Sequence, residues 1–196
     1  MCSRFVVDDL VWDEVERLVG QLDRTGFPNG DVFPSGQILI LKKGAGKAGL
    51  EAYGARWGYP GYGTGKLLIN ARTETVREKV TFRSDFAQRR CIIPARGFYE
   101  WNAAKEKFYF TGSAPVLYLA GIYSNDPQKE CVTVLTARAN ESVRPVHDRM
   151  PLLIPQKEVL RWVEDRDWAE QFLQEEPPEL LGRKEDRGYE QLSLFS

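Results

Sequence analysis

Residues 90–123 read RCIIPARGFYEWNAAKEKFYFTGSAPVLYLAGIY. Within them CIIPA, GFYEW, KFYF and VLYLAGIY are short apolar runs rich in aromatic and β-branched residues, separated by turn residues. That is the pattern of strands joined by turns. Outward from this block the same pattern recurs in AYGARW (52–57), LLINA (67–71), CVTVLTA (131–137) and MPLLI (150–154). Upstream, Gln37–Leu41 reads as a strand ending in Lys42 and Lys43, and DRTGFPNGDVFPSG (23–36) is turn chemistry. Leu10, Val11, Val15, Leu18, Val19 and Leu22 recur at helical spacing, so the reading predicts a helix over Asp8–Leu22 capped by Asp8. Short helices are expected over Glu74–Glu78 and Arg83–Gln88, a longer one over Pro155–Val163 and another over Asp167–Leu173. PPELLGRKEDRG (177–188) reads as an exposed linker. A helix, then many strands, then helices, without regular βαβ alternation, predicts the α+β class. We expect a single domain with a curled, largely antiparallel, barrel-like sheet flanked by helices.

The chain has 196 residues, enough for one domain to bury a sizeable core without metal or disulfide staples. Apolar residues at 42% and charged residues at 28% exclude wholesale disorder. Three cysteines, Cys2, Cys91 and Cys131, with one histidine cannot build a Cys/His zinc site, so no metal or cofactor is expected. Cys91 and Cys131 fall in strand-like runs and read as buried, inert thiols. The sparse, odd cysteine count suits a reducing compartment. MCSRFVVDDL reaches two aspartates before a signal-peptide core could form, and the longest charge-free stretch, Phe108–Asn125, contains Gly112, Pro115 and Gly121. The expectation is a cytoplasmic protein with no membrane segment, for which a monomer needs no further assumption. GAGKAG (44–49) lacks the GxxxxGK[ST] spacing of a phosphate loop.

Charge is unevenly spread. Residues 66–110 carry ten Lys/Arg against five Asp/Glu, hence +5, and residues 158–196 carry five against eleven, hence −6. A basic middle can draw a polyanion; a solvated mixed-charge surface would look the same.

Four residues stand out as chemistry. Once Met1 is gone, Cys2 presents an α-amine and a thiol on adjacent carbons. The amine titrates near ~7.7–8.0, against ~10.4 for a lysine, so a useful fraction is nucleophilic at neutral pH. Attack on an aldehyde gives an imine, and the thiol can then close a five-membered thiazolidine. A cysteine that merely follows the start methionine is the plain alternative. Glu100, in Gly97-Phe98-Tyr99-Glu100-Trp101, shares a strand face with Phe98, opposite Tyr99 and Trp101. It is either a desolvated carboxyl with a raised pKa or a surface residue paired with Lys105 or Lys107. His147, the one imidazole, lies in the proline-bracketed loop Arg144-Pro145-Val146-His147-Asp148-Arg149-Met150-Pro151 and is either structural or the group that titrates near neutrality. Asn70, after Leu67-Leu68-Ile69, either orients a nucleophile or caps a following helix. Arg4, Arg72, Arg83 and Arg149 lie beside these segments and suit phosphate, and Trp57 and Trp101 could stack on unpaired bases or pack in the core.

The joint order of Met1-Cys2-Ser3-Arg4-Phe5, Asn70-Ala71-Arg72-Thr73-Glu74-Thr75, Arg90 through Trp101 and His147-Asp148-Arg149-Met150-Pro151 resembles the SOS-response-associated peptidase (SRAP) family. The resemblance implies an SRAP-type catalytic domain over 1–176, with linker and tail over 177–196. It implies a protein that links covalently to abasic sites in single-stranded DNA, as part of the DNA damage response. By the same resemblance Cys2 is the nucleophile, exposed when the protein removes its own Met1. Asn70 positions the Cys2 amine and the sugar, and Glu100 is the acid–base group that also assists Met1 removal. His147 opens the sugar ring and moves protons as the link forms or reverses. Arg4, Arg72 and Arg149 resemble family residues that hold phosphates, with Arg83, Trp57 and Trp101 as further DNA contacts. The chain departs from the family at Ser3, where glycine is usual, and Phe33-Pro34-Ser35 only partly matches an Ala-Pro-Thr loop.

At the far end, Gln191-Leu192-Ser193-Leu194-Phe195 resembles the peptide that docks on the bacterial β sliding clamp through its Leu and Phe side chains. Two other classes stay open on the residues alone: a cysteine peptidase or amidohydrolase for other substrates using Cys2, Glu100 and His147, and a noncatalytic module that reads single-stranded DNA.

Overall fold

The computed structural model describes residues 2–44, 49–61, 65–124 and 130–185. In chain order the first elements are β1 (Phe5–Val7), α1 (Asp9–Val19), β2 (Gly30–Val32), β3 (Gln37–Lys43) and β4 (Leu50–Trp57). Next come β5 (Tyr59–Pro60), β6 (Leu67–Leu68), β7 (Asn70–Arg72), α2 (Arg83–Gln88), β8 (Arg90–Ala95) and β9 (Gly97–Trp101). The chain continues with β10 (Lys107–Thr111), β11 (Leu117–Tyr123), β12 (Cys131–Arg138) and β13 (Arg149–Pro151). It finishes with α3 (Val159–Glu164), α4 (Arg166–Phe172) and β14 (Leu181–Glu185).

The larger sheet closes on itself. β11 pairs with β8, β8 touches β3 at Ile92 and Leu41, β3 pairs with β4, β4 runs parallel to β12, and β12 returns to β11. This ring is the curled, largely antiparallel sheet expected from the sequence, and closure removes the exposed edges an open sheet would carry. β7 and β13 extend it from β12, β7 in parallel and β13 antiparallel. The second sheet runs β14-β10-β9-β1-β2, antiparallel throughout. It is tied to the ring where β8 passes into β9 through Arg96. Ile38, Ile40, Ile93, Leu119 and Val134 share one face of the ring and are all buried, and Ile92 is buried on the other face.

Helix α1 follows its sequence signals. Asp8 accepts a hydrogen bond from the Val11 amide at 3.2 Å, and Val11, Trp12 and Val15 face the core. It ends at Val19, three residues before the expected Leu22, where Gly20 follows with a φ of 86° that glycine tolerates. Three expectations need correction. Thr73–Glu78 forms turns rather than a helix, with Val76 N bonded to Arg72 O at 2.9 Å, because Thr73 and Val76 are drawn into the interior. Pro155–Val163 divides into a 3-10 turn over Gln156–Glu158 and α3. The linker reading of 177–188 fails at its front. The Asn140 side-chain amide bonds the carbonyls of Pro177 and Pro178 at 2.8 and 3.0 Å, and Leu181–Glu185 pairs along β10 as an edge strand. The domain therefore runs to at least Glu185 rather than ending at 176.

Ile92 sits at the register point joining β8 to both β3 and β11, and it is fully buried. Ile92→Ala is expected to cost about 2–5 kcal/mol in urea denaturation, Ile92→Val about 0.5–1.5. Equal midpoints for all three proteins would contradict the closed-ring description.

Candidate active site

The start of the chain is drawn into the molecule by strand pairing. Phe5 lies opposite Phe98 and Val6 opposite Gly97, and the ladder continues with the Tyr99 amide donating to Arg4 O at 2.9 Å. Cβ on Gly97 would meet the Phe110 carbonyl at 2.5 Å, so only glycine allows β10 this close behind β9. Phe5 packs on Trp57 with ring centroids 5.0 Å apart. These contacts deliver Cys2 to a fully buried position, where its thiol points at the Arg4 carbonyl, 3.9 Å away.

Asn70 begins β7, opposite Val134 of β12, and its side-chain amide donates to the Cys2 carbonyl at 2.9 Å. No helix follows it directly, so the capping alternative falls away; Asn70 holds Cys2. Its Oδ1 is buried with no hydrogen-bond partner among the described residues. Glu100 on β9 is 1% exposed. Burial pushes its carboxyl from an ordinary 4.5 up to about 7, and the Asp148 carboxylate adds a smaller push. Lys107, the surface partner considered for it, instead bonds Glu185 at 2.9 Å and lies over the Tyr99 ring. The Cys2 thiol is pushed far up, first by burial and then by the neighbouring Glu100 carboxylate, so it is held protonated.

His147 is half-buried in the loop before β13. Its Nδ1 accepts the Arg149 amide at 2.9 Å, so the neutral ring carries its proton on Nε2. Burial lowers its pKa, against the pull of Asp148, whose Oδ1 is 3.0 Å from Nδ1. The electrostatic effect of Asp148 on Glu100 places this loop toward the same carboxyl that presses on Cys2. Cys2 precedes β1 and is bonded by Asn70 of β7, and its thiol feels the charge of Glu100 on β9, which in turn feels that of Asp148 beside His147. Cys91 and Cys131 are buried, as expected.

The proposed DNA contacts fare unevenly. Trp57 is 0% exposed and donates its Nε1 to Ile69 O at 3.0 Å, so it is a core residue and cannot stack on a base. Trp101 is partly exposed and, with Phe33 and Tyr99, surrounds the Arg4 guanidinium at 5.3, 4.4 and 5.8 Å. Arg4 is also paired with Asp31 at 3.4 Å, which makes it part of an aromatic slot rather than an open phosphate hook. Arg149 is 7% exposed; its guanidinium grips both Glu74 oxygens, Nη2 to Oε2 at 2.9 Å, and also bonds the Thr136 carbonyl. Both of its Nη groups are engaged, and its Nε is buried without a hydrogen-bond partner among the described residues. Arg72 is exposed and makes no side-chain bond among the described residues, and Arg83 is exposed on α2. A cleft of about 660 Å³ beside the His147 loop is lined by Arg72, Glu74, Arg138, Arg144, Asp148 and Arg149, among others. The sequence reading missed Glu74 as the partner of Arg149, and Arg138 and Arg144 as cleft residues. Two signals were available: Arg138 ends an apolar strand, and Arg144 opens the His147 motif. Met1 and the tail residues Gln191, Leu192, Leu194 and Phe195 lie outside the described residues. Among the described residues no cluster of three or more His, Cys, Asp or Glu could hold a metal, and no helix is long and apolar enough to cross a membrane.

A family model described as SOS response associated peptidase (SRAP) matches residues 1–183. The Abasic site processing protein YoqW of Bacillus subtilis is 29% identical, covering 89% of this chain and 85% of that protein. The Abasic site processing protein YedK of Escherichia coli is 26% identical over 83% of this chain and 79% of its own. Among solved structures, a Bacteroides thetaiotaomicron protein superposes with a TM-score of 0.78 at 19% identity, covering 95% of this chain and 93% of that one. A phage-related protein of Bordetella bronchiseptica gives 0.77 at 24% identity and 94% of both chains. These two likenesses establish the shared fold.

Glu100 also sets a pH signature. Its folded pKa lies above its ordinary value, so the folded state keeps a proton that the unfolded chain releases between pH 4.5 and about 7. The native state is therefore best favoured below that window and loses stability as pH rises through it, by up to about 3 kcal/mol. Urea midpoints should show Glu100→Gln gaining about 1–3 kcal/mol on the wild type at pH 8 relative to their difference at pH 4.5. A difference independent of pH would mean the carboxyl is not desolvated.

Proposed function

The chain belongs to the SOS response associated peptidase family, and from that membership we propose that it processes abasic sites in single-stranded DNA by linking Cys2 covalently to them. The observation that carries this reading is the Asn70 hydrogen bond to the Cys2 carbonyl beside the buried Glu100 carboxyl. The printed names of the relatives from Bacillus subtilis and Escherichia coli support the substrate.

The chemistry proceeds in balanced steps. Hydrolysis of the Met1–Cys2 peptide bond, which the protein performs on itself with Glu100 as base, consumes one water, releases methionine and leaves the Cys2 α-amine. The abasic sugar opens as its ring C1′–O4′ bond breaks and C1′ becomes an aldehyde, with His147 passing a proton between the two oxygens. The amine adds to C1′, and the resulting hydroxyl leaves as water with a proton from Glu100, whose carboxylate then takes the proton the nitrogen gives up, leaving an imine. Cys2 Sγ then bonds to the same carbon while its proton passes, through Glu100, to the imine nitrogen. The thiazolidine closes with the net loss of one water. A carboxyl titrating at about 7 serves both directions of transfer at neutral pH. A protonated thiol suits this sequence, since sulfur acts last, on an activated imine. The same steps reversed would return the sugar aldehyde.

A cysteine peptidase for other substrates fits less well: such enzymes lower the thiol pKa, whereas burial raises that of Cys2. A noncatalytic DNA module gives no reason to bury a carboxyl against the leading cysteine. We also propose that Gln191–Phe195 docks the protein on the β sliding clamp; the support is the sequence of the peptide and its place beyond β14.

Incubation with a uracil-containing single strand treated with uracil glycosylase is expected to give a shifted band that survives boiling. Cys2→Ala should abolish it, while Asn70→Ala and Glu100→Gln should slow it on the order of 10²-fold. Turnover of exogenous peptides without a band, or a shift that boiling removes in every variant, would favour the other two classes. For the tail, fluorescence polarisation should show clamp affinity collapsing in Leu194→Ala/Phe195→Ala; unchanged affinity removes that part of the proposal.

A further inference from the structure

Two groups meet Nδ1 of His147, and they favour different protonation states of it. The Arg149 amide donates to Nδ1 at 2.9 Å, which requires a lone pair there. Asp148 Oδ1 stands 3.0 Å from the same nitrogen and, as a carboxylate, can only accept, so it favours Nδ1 with a proton. The amide is fixed. The Arg149 guanidinium is bonded to Glu74 and Thr136, and Arg149 pairs with Arg138 of β12. The backbone that carries the ring is held as firmly: the His147 amide donates to Val143 O at 3.0 Å, and Asp148 O accepts from the Ala139 amide at 3.0 Å. The Asp148 side chain is the movable partner. It is 85% exposed, so it can turn onto Nδ1 or away from it without disturbing the loop.

A neutral ring with its proton on Nε2 is poorly suited to opening a sugar. Giving up that proton would leave an imidazolate anion, and a protonated Nε2 cannot take another. From the two contacts at Nδ1 we infer that Asp148 is a positioning residue that holds a proton on Nδ1 of His147, which leaves Nε2 to give and take the proton that opens the abasic sugar. The Arg149 amide sets the resting ring and Asp148 sets the working one. In the working form the imidazolium gives its Nε2 proton to O4′ as the C1′–O4′ electron pair moves onto that oxygen. The ring is then neutral, with its remaining proton on Nδ1. Nε2 next takes the proton of the C1′ hydroxyl while a lone pair of that oxygen completes the aldehyde, and the imidazolium returns. The Nδ1 proton stays on Asp148 throughout. Asp148 also favours the charged ring, against burial and the Arg149 guanidinium. The inference rests on the proposed function and adds to it the group through which His147 can act in both directions.

His147 is the one histidine of the chain, so the full-length protein labelled with nitrogen-15 histidine gives the signals of a single imidazole. NMR then reads which ring nitrogen carries the proton. At pH 7 the fraction of rings protonated on Nδ1 is expected to fall about 10-fold in Asp148→Ala and to be retained in Asp148→Glu. The rate of adduct formation at saturating abasic single strand should fall about 10-fold in the alanine variant and recover in the glutamate variant. Urea midpoints of all three proteins should agree, because the side chain is exposed. An Nδ1-protonated fraction equal in wild type and Asp148→Ala overturns the assignment. A slower rate with an unchanged ring overturns it too, since Asp148 would then act through the Glu100 carboxyl. Ring spectra that differ as expected, in a protein that forms no adduct at all, would sink the covalent chemistry and leave the pairing of Asp148 with His147 standing.

Discussion

A single side-chain hydrogen bond, from the Asn70 amide to the Cys2 carbonyl, ties Cys2, at the start of the described residues, to the closed ring of strands. The rest of the arrangement follows from the need for it. Chain ends ordinarily fray, and ordering one residue costs about 1–2 kcal/mol of backbone entropy. One buried hydrogen bond contributes about 1 kcal/mol and cannot do this alone. The remainder comes from β1, pinned between β2 and β9, and from Phe5 packed on the buried Trp57. The strand fixes the direction of entry and Asn70 fixes the last step.

Burial at this point carries a cost that the fold accepts. Glu100 would be ionised on the surface; at 1% exposure its carboxyl is lifted to about 7, and the Cys2 thiol is driven up beside it. Raising the Glu100 carboxyl lowers native stability at neutral pH, whereas the thiol is protonated there in both states, and shifts of this kind are how proteins tune groups for proton transfer. The contrast with the buried guanidiniums is instructive. Arg90 satisfies its fork on the carbonyls of Phe86, Ala87, Trp162 and Val163, and Arg149 on Glu74 and Thr136. Those charges are held in the interior by bonds from their Nη groups, although Arg149 Nε is buried without a partner among the described residues.

Much of this was legible in the sequence, for identifiable reasons. Short aromatic and β-branched runs between turn residues announced the strands, and Asp8 marked the start of α1. Strand alternation placed Glu100 beside Phe98, on the face away from Tyr99 and Trp101. What escaped were properties set by distant partners. Arg149 looked available because Glu74, the carboxylate its Nη groups hold, lies 75 positions away. Trp57 and Trp101 look alike in sequence, yet one is buried at the end of β4 in the ring and the other is partly exposed at the end of β9 in the second sheet. β14 was invisible because an edge strand held by backbone pairing needs no apolar pattern: of Leu181–Glu185, the first four residues are exposed. Asn70 was ambiguous for the same reason, since an amide does not declare which backbone group it will bond.

The central claim is that nitrogen and sulfur of one leading cysteine capture a sugar aldehyde. Intact-mass spectrometry of the processed protein mixed with an abasic oligonucleotide tests it most directly. The account predicts one new species whose mass is the sum of the two components less one water, with the fragment carrying Cys2 bearing the sugar. A mixture that returns only the two starting masses, or an adduct mapped to a lysine, would contradict it.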